Sequence, residues 1–226
     1  MKDLSTLHYL SFEITPSCPL QAEHRAWCPA AWIDRTGTPA TDGEIIGFTD
    51  YCRVRGFHGM TTGHYYCDPL ADKPRIQRLL PYLRPFSLWT SGSLLATEDL
   101  AWLPQCDEIV ITLHHPADRP RLEEITKVLP QAQLCGEYID RRLDIYSQAV
   151  MHGEHGCRRP SEIELPVDYH GDLHLCCGDW QGEVPIGTIR DPADAVARWL
   201  VIADLTPYLE VCGRCARLKH GPRYPL

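Results

Sequence analysis

Length, composition and charge limit the classes of protein to which this chain can belong. Its 226 residues suit one domain with a small appendage and suffice to bury a real core. The formal net charge of −8 argues against a broad phosphate-binding surface, so we expect no nucleic acid as a partner. No stretch is long and apolar enough to predict a membrane span.

The opening residues MKDLSTLHYL lack the sustained apolar core of a signal peptide, which predicts a cytoplasmic protein. The chain contains eleven cysteines. In a reducing compartment, so many thiols indicate metal or redox chemistry more often than structural disulfides. The alternatives are buried thiols that act as small hydrophobic residues or, in an exported protein, disulfides.

Strand and helix patterns alternate through the first 150 residues. Strands are predicted over residues 7–15, 57–66, 85–92, 107–115 and 132–140, from their strand-forming residues and alternating polarity. Helices are predicted over residues 42–56, 74–84, 97–106 and 117–130, with Thr97 as the cap of the third. This alternation predicts a parallel α/β sheet or partial barrel, whose functional groups gather at the carboxyl ends of the strands.

Soft and polar side chains follow the predicted strands. In chain order they are Cys18, His24 and Cys28, then His64, Cys67 and Asp68, then Thr90 and Ser91, and finally Thr112, His114 and His115. A polar, sulfur-lined mouth above an apolar sheet is a reasonable place for a cofactor. Side chains alternate across a strand, so at most one of the two adjacent histidines points into the mouth.

Other polar and sulfur-containing residues support weaker hypotheses. Glu13 lies inside the first strand and can face the interior as a base or ligand, although such a residue is often just a satisfied core group. Cys52, Cys106 and Cys135 fall in helix or strand patterns and are interpreted as inert core thiols. Residues 140–144, DRRLD, are interpreted as a solvated charged loop.

Four cysteines in the last third of the chain are spaced like a metal site: Cys157, Cys176, Cys212 and Cys215. The last two form the motif CGRC, whose two-residue gap lets both sulfurs face one centre. Two such thiolate pairs complete a four-sulfur shell, which both zinc and an iron–sulfur cluster accept. The spacing alone does not choose between these two metals.

The segment that carries these cysteines is rich in turns. GDLHLCCGDW predicts two strand edges around a tight turn, and IGTI predicts a further strand. DPADAVARWL predicts a helix that Asp191 caps, with Pro192 in its first turn. A segment with so little apolar mass is hard to fold without a metal or another cross-link.

The tail motifs resemble the SPASM or twitch extension of the radical S-adenosylmethionine (AdoMet) superfamily, which carries an auxiliary iron–sulfur cluster. The resemblance covers residues 157–217 and rests on Cys157, Gly171 and Cys176, on CCGDW followed by IGTI and a helix with Trp199, and on CGRC. Only four cysteines are regularly spaced, so the shorter twitch form with one cluster fits better than the full form. Cys177 leaves the second ligand ambiguous, although the gap from Gly171 favours Cys176.

The order of strands and loops over residues 7 to about 145 resembles the barrel of the same superfamily, with two departures. Family members carry a CxxxCxxC loop whose three cysteines bind a cluster and leave its fourth iron for AdoMet. Here the loop holds only Cys18 and Cys28. The family's glycine pair before Glu-Pro, whose backbone contacts the cofactor's amino group, appears here as Tyr66 and Cys67 before Asp68.

Three hypotheses account for these departures. In one, Cys18, Cys28 and Cys67 together form the three-thiolate shell of a [4Fe-4S] cluster, with a histidine able to replace a thiolate. In another, the barrel has lost its cluster. In the third, His24, His64 and the thiols hold a single metal ion.

The resemblance implies a shortened parallel partial (β/α) barrel in residues 1–150 and a small C-terminal cysteine-rich iron–sulfur module in residues 151–226. It implies radical oxidation or modification of a peptide or small-molecule substrate, with reduction by a donor such as a flavodoxin or ferredoxin. The residues that it implies for AdoMet binding are Tyr66, Asp68, Thr90 and Ser91. The alternative is an AdoMet-independent iron–sulfur or zinc protein that acts in electron transfer or as a partner-binding scaffold.

Overall fold

A computed structural model describes residues 3–26, 28–136, 146, 157 and 159–217. The described residues form one eight-stranded sheet in the order β5-β4-β3-β2-β1-β6-β7-β8. The strands are β1 (Tyr9–Phe12), β2 (Met60–Thr62), β3 (Phe86–Thr90), β4 (Glu108–Thr112), β5 (Ala132–Cys135), β6 (Glu164–Val167), β7 (Asp172–Leu173) and β8 (Gly187–Thr188). All strands from β5 to β6 in this order pair in parallel, whereas β7 and β8 pair antiparallel.

The mostly parallel α/β sheet confirms the predicted fold class in its coarse form, and the five predicted barrel strands are present with shorter bounds. Strand β6 was not predicted. It pairs with β1 through Leu10 with Leu165 and Ser11 with Pro166, and all four of its residues are buried. Its Pro166 cannot donate a ladder hydrogen bond, so the local sequence is unfavourable for a strand at this position.

In the described part of the chain, five α-helices accompany the sheet: α1 (Asp42–Val54), α2 (Lys73–Leu83), α3 (Arg119–Val128), α4 (Pro192–Ala203) and α5 (Glu210–Arg217). Thr41 and Glu44 form a capping box that begins α1. The predicted helix over 97–106 is instead two 3₁₀ helices, Thr97–Ala101 and Leu103–Gln105. Thr97 is not the cap, since Ala96 precedes the helix and the Asp99 carboxylate accepts its N–H at 2.8 Å.

The main core lies between the sheet and its helices. Leu10 and Phe12 of β1 are fully buried, and Phe12 packs edge-on against Phe48 of α1 with ring centroids 6.4 Å apart. Burial of each such side chain contributes about 1.5–3 kcal/mol. The thiols of Cys52 and Cys106 belong to this core, as predicted, whereas Cys135 is only half-buried.

The tail continues the sheet through β7 and β8. Of the predicted GDLHLCCGDW hairpin only Asp172–Leu173 is a strand, and its partner is Gly187–Thr188 within IGTI. The chain reverses at Gly171, whose φ of +89° favours glycine and whose carbonyl accepts the N–H of Ile189 at 2.8 Å. The predicted cap of α4 is confirmed, because the Asp191 side chain accepts the N–H of Asp194.

The predicted division into 1–150 and 151–226 stays a prediction; strands from both segments share one sheet. The end of the fifth predicted strand and the charged loop at 140–144 lie outside the described residues. None of the helices within the described ranges is long and apolar enough to cross a bilayer.

Candidate functional site

The parallel strands place their carboxyl ends, and the loops that follow them, at one edge of the sheet. Asp68, just after β2, anchors this edge. Its carboxylate accepts hydrogen bonds from the hydroxyl of Thr90 at 2.9 Å, the N–H of Ser91 at 2.8 Å and the N–H of Leu70 at 3.0 Å. The Ser91 hydroxyl donates to it at 2.5 Å. Three of the four predicted AdoMet-binding residues, Asp68, Thr90 and Ser91, therefore form one network that fixes the β2 and β3 loops.

Cys18, Cys28 and Cys67 come from two loops to the same region of this edge, which we call the mouth. Burial raises the pKa of the Cys18 thiol, and the backbone groups of Asp68 and Leu20 oppose this shift. Cys67 is 1% exposed, and burial raises the pKa of its thiol well above the usual range. Cys18 interacts electrostatically with Cys67, which raises that pKa further. Cys18 and Cys28 both pack against the buried cluster that contains Cys67.

Sequence reasoning missed a buried ion pair beside these thiols. Arg35 donates to Glu13 Oε1 from Nη2 at 2.6 Å and from Nε at 3.1 Å. Glu13, which the sequence allows to face the interior, is 2% exposed. Among the described residues, none donates a hydrogen bond to its buried Oε2. The Glu13 carboxylate also interacts with the Cys67 thiol. A partner at sequence separation 22 leaves no local pattern from which this pair could have been found.

Histidines border the mouth. The rings of His24 and His114 lie 4.8 Å apart, and burial, then the neighbouring His24, lowers the pKa of His114 to about 4. The His64 ring stacks on Trp89 and its Nδ1 lies 3.2 Å from the Cys67 carbonyl oxygen. His115 instead lies 3.4 Å from the Glu23 carboxylate. The two adjacent histidines thus meet different partners in the loop after β1, and the expectation that at most one of them points into the mouth stays a prediction.

Tyr66, the fourth predicted AdoMet-binding residue, contacts the tail. Its hydroxyl donates to the Cys177 carbonyl oxygen at 2.5 Å and lies 3.1 Å from the Tyr65 hydroxyl. The two tyrosine rings are 4.0 Å apart and almost fully buried. Together with Cys67, Cys177 and Trp180 they form a buried layer between the mouth and the tail cysteines, which we call the tyrosine layer. The bulk of Tyr66 is therefore part of this layer.

The four regularly spaced tail cysteines also come near one another. Burial raises the pKa of Cys212 to about 12, and interactions with Cys157 and Cys215 add to this shift. Burial also raises the pKa of Cys176 well above its usual range, with contributions from Cys177 and from the other three thiols. Cys212 and Cys215 lie three residues apart on α5 and thus on one face, a helix that sequence reasoning missed. Cys176 adjoins these thiols, whereas Cys177 packs into the tyrosine layer.

Buried polar groups hold the loop that carries Cys176. The Gly178 N–H donates to the Cys176 sulfur at 3.4 Å. Asp179 accepts from the Tyr146 hydroxyl at 3.1 Å and from the N–H of Glu183 at 2.9 Å. An amide directed at a thiolate sulfur stabilises negative charge there, as metal ligation requires.

Among the residues that the structure describes, no three His, Cys, Asp or Glu side chains are arranged to hold a single metal ion. An iron–sulfur cluster spaces its thiolates more widely than one ion does, because the ligands bind different irons of the cluster. The assignments of Cys18, Cys28, Cys67, Cys157, Cys176, Cys212 and Cys215 as metal ligands therefore stay predictions.

An open depression of about 370 Å³ adjoins the mouth. It is lined by Cys18, Pro19, Gln21, Ala22, Arg25 and Ala31, all from the loop after β1. The indole of Trp32 donates to the Arg25 carbonyl oxygen at 2.9 Å and fixes this side of the loop. Solvent thus reaches the loop next to Cys18, whereas Cys67 lies beneath it.

Comparisons with known proteins show similarity at the level of structure. No family model matches the chain. No curated protein matches it. The crystal structure of BtrN in complex with AdoMet and 2-DOIA superposes with a TM-score of 0.69, covering 94% of this chain and 93% of that chain at 16% sequence identity. Selenomethionine BtrN in an open conformation gives a TM-score of 0.62 over 97% of this chain and 91% of that chain, at 17% identity.

BtrN is a radical AdoMet enzyme. The shared architecture extends over nearly the full length of both chains, so it includes the tail as well as the parallel sheet. At such low identity the likeness concerns the fold alone. The chain has the mixed α/β fold of BtrN, with a mostly parallel eight-stranded sheet.

Proposed function

We propose that this protein is a radical AdoMet-type iron–sulfur oxidoreductase. The observation that carries the proposal is the BtrN fold over 94% of the chain, combined with three thiols at the mouth where the strands end. BtrN was crystallised in complex with AdoMet, which supports AdoMet as the cofactor here. The same complex contains 2-DOIA, and a bound small molecule in the structural neighbour favours a small-molecule substrate over a peptide.

The donors present at the mouth fit a [4Fe-4S] cluster with three protein ligands. Cys18, Cys28 and Cys67 offer three soft thiolates, since Cys18 and Cys28 pack against the buried cluster that contains Cys67. Residues of two loops then replace the single loop that usually supplies all three ligands. With AdoMet bound, a reduced cluster of this kind supplies one-electron cleavage of AdoMet and removal of a hydrogen atom from the substrate.

The chain's own residues have definable roles in this proposal. Asp68, Thr90 and Ser91 hold the β2 and β3 loops in one position. Because this network consumes their hydrogen-bonding groups, we propose that they shape the AdoMet seat rather than bind its charged groups. Tyr66 directs its side chain into the layer beside Cys177, which leaves the backbone at this position to approach the cofactor.

We propose that Cys157, Cys176, Cys212 and Cys215 hold an auxiliary [4Fe-4S] cluster. Their mutual electrostatic interactions and the Gly178 N–H on the Cys176 sulfur support this ligand set. Such a centre near the mouth suits acceptance of an electron during substrate oxidation. Binding to a reduced flavodoxin or ferredoxin, and a cytoplasmic location, complete the proposal.

The test is anaerobic incubation of the iron-reconstituted protein with AdoMet and dithionite, followed by chromatography for 5′-deoxyadenosine. We expect its formation to require both reagents and to stop in air. A matched reaction with Cys67→Ala protein measures background cleavage. Formation at that background rate in the wild type contradicts the enzyme proposal.

The second candidate is an AdoMet-independent iron–sulfur or zinc protein that transfers electrons or binds a partner. The absence of the family's glycine pair, replaced by Tyr66 and Cys67, favours it. In that case metal analysis finds bound iron or zinc, yet AdoMet neither binds nor reacts.

A further inference from the structure

A buried ion pair lies directly beside the mouth thiols. The side chains of Arg35 and Glu13 are 6% and 1% exposed, and their charged atoms approach to 2.6 Å. Burial of a charge pair carries a desolvation cost that good geometry and extra hydrogen bonds must offset. Here Arg35 has those bonds, since its Nη1 also donates to the carbonyl oxygens of Ala30 at 2.8 Å and Ile33 at 3.2 Å.

These bonds connect the cysteine loop to the sheet. Ala30 and Ile33 follow Cys28 closely in the chain, whereas Glu13 follows β1. Arg35 therefore fixes the half of the loop that carries Cys28 against the strand end. These hydrogen bonds hold the conformation of a loop that has only two of the three cysteines of the family motif.

The same two charges act on the thiols. Arg35 interacts electrostatically with Cys67 and Cys28, and Glu13 interacts with Cys67. The guanidinium occupies only Oε1 of Glu13, and Oε2 is buried with no hydrogen-bond partner of full geometry in the described part of the chain. The guanidinium of Arg35 therefore does not fully compensate the negative charge of the Glu13 carboxylate at Oε2. In a site of low dielectric constant, fixed charges that act on these thiols also act on any redox centre that the thiols hold.

We propose that Arg35 and Glu13 are positioning residues that set the reduction potential of the centre held by Cys18, Cys28 and Cys67. This inference rests on the proposed function, which places an iron–sulfur cluster there. Reduction adds one electron to the cluster. The positive charge of Arg35 favours that added electron and raises the potential, whereas the negative charge of Glu13 opposes it and lowers the potential.

The test compares Arg35→Gln and Glu13→Gln in the full-length, cluster-loaded protein by redox titration, with electron paramagnetic resonance as the readout. We expect Arg35→Gln to lower the midpoint potential of the mouth cluster and Glu13→Gln to raise it. Arg35→Lys, which keeps the charge but not the planar fork, should stay near the wild-type potential. The tail cluster provides an internal reference whose potential should not move.

A purely structural role predicts a different result. Both glutamine variants break the same ion pair, so loosening of the loop alone shifts the potential in one common direction or not at all. Either result overturns the inference. Arg119→Gln, which removes a half-exposed guanidinium from an i,i+4 pair on α3, controls for the loss of net charge.

Two further outcomes are decisive. If Arg35→Gln does not fold, the other two variants still test the inference. A raised potential in Glu13→Gln together with an unchanged potential in Arg35→Lys supports it. Any other pair of results opposes it. If the wild type shows only the tail cluster, the inference is overturned. AdoMet binding by the wild type, measured separately by calorimetry, shows whether the proposed function fails as well.

Discussion

At the scale of single residues, the environment of Cys67 differs from those of the other buried thiols in the barrel. Cys52 and Cys106 belong to the main hydrophobic core. Cys67 instead has Glu13, Arg35 and Cys18 among the groups that act on its thiol. These charged and sulfur-containing neighbours distinguish Cys67 from the two core thiols and support its proposed role as a ligand.

We therefore expect Cys67→Ala to remove one cluster while the tail cluster remains. Loss of one of three thiolates leaves an iron of the mouth cluster without its protein ligand. Iron and sulfide analysis with paramagnetic resonance measures the change. Cys52→Ala is the matched control, since it removes an equally buried thiol from the core and should leave the iron content unchanged.

Asp68 provides a second prediction at this scale. Its carboxylate accepts hydrogen bonds from Leu70, Thr90 and Ser91. An asparagine at this position places its amide NH₂ group, which is itself a donor, opposite some of these donor groups. We expect Asp68→Asn to lower the free energy of unfolding by about 1–3 kcal/mol, as for other buried unsatisfied groups. Denaturation by urea checks this value, and a variant as stable as the wild type contradicts the structural role.

At the scale of elements, the tyrosine layer joins the loop after β2 to the tail. Tyr66→Phe keeps the ring but removes the hydroxyl, which leaves the buried Cys177 carbonyl oxygen without this donor. We expect a cost of about 1–3 kcal/mol in stability and weaker coupling between barrel and tail. Hydrogen exchange should rise at residues 176–180. Tyr82→Phe, at a tyrosine that is 56% exposed on α2, is the control and should change neither quantity.

The tail cysteines give another test at this scale. We expect Cys212→Ser to remove about one cluster's worth of iron and to loosen the segment from β7 to α5, because ligation contributes folding free energy. Iron analysis and limited proteolysis measure both effects. Cys177→Ser tests the ligand choice, since Cys177 packs in the tyrosine layer and its replacement should spare the iron. Equal loss in both variants contradicts the assignment of Cys176.

The elements that sequence reasoning found are those with local signals. The alternation of β1 to β5 with helices and the Asp191 cap of α4 both depend on neighbours within a few residues. Strand β6 escaped because Pro166 argues against a strand, and burial between β1 and β7 outweighs that local preference. Local pattern could not reveal the position of a strand set by tertiary packing.

The candidate site likewise contains residues that the sequence pattern reveals and residues that only the folded structure brings together. The spacing of Cys157, Cys176, Cys212 and Cys215 is visible in the sequence, whereas Arg35 and its contact with Glu13 are not. The direction of Tyr66 likewise depends on a carbonyl group 111 residues away. Cysteine motifs thus predict where metal chemistry lies, and long-range contacts determine how the surrounding charges are arranged.

At the scale of the whole molecule, one sheet connects the mouth to the tail. Strand β6 lies beside β1, and β7 and β8 extend the same sheet toward the tail cysteines. The likeness to BtrN covers both parts at once. The redox role proposed above uses both sites, and it requires that AdoMet bind at the mouth.

Isothermal titration of the anaerobic, cluster-loaded protein with AdoMet tests that requirement most directly. We predict one AdoMet bound per chain in the wild type and none in Cys67→Ala, with Cys52→Ala binding like the wild type. Wild-type protein that carries both clusters and gives no binding signal contradicts the proposed function and supports the AdoMet-independent alternative.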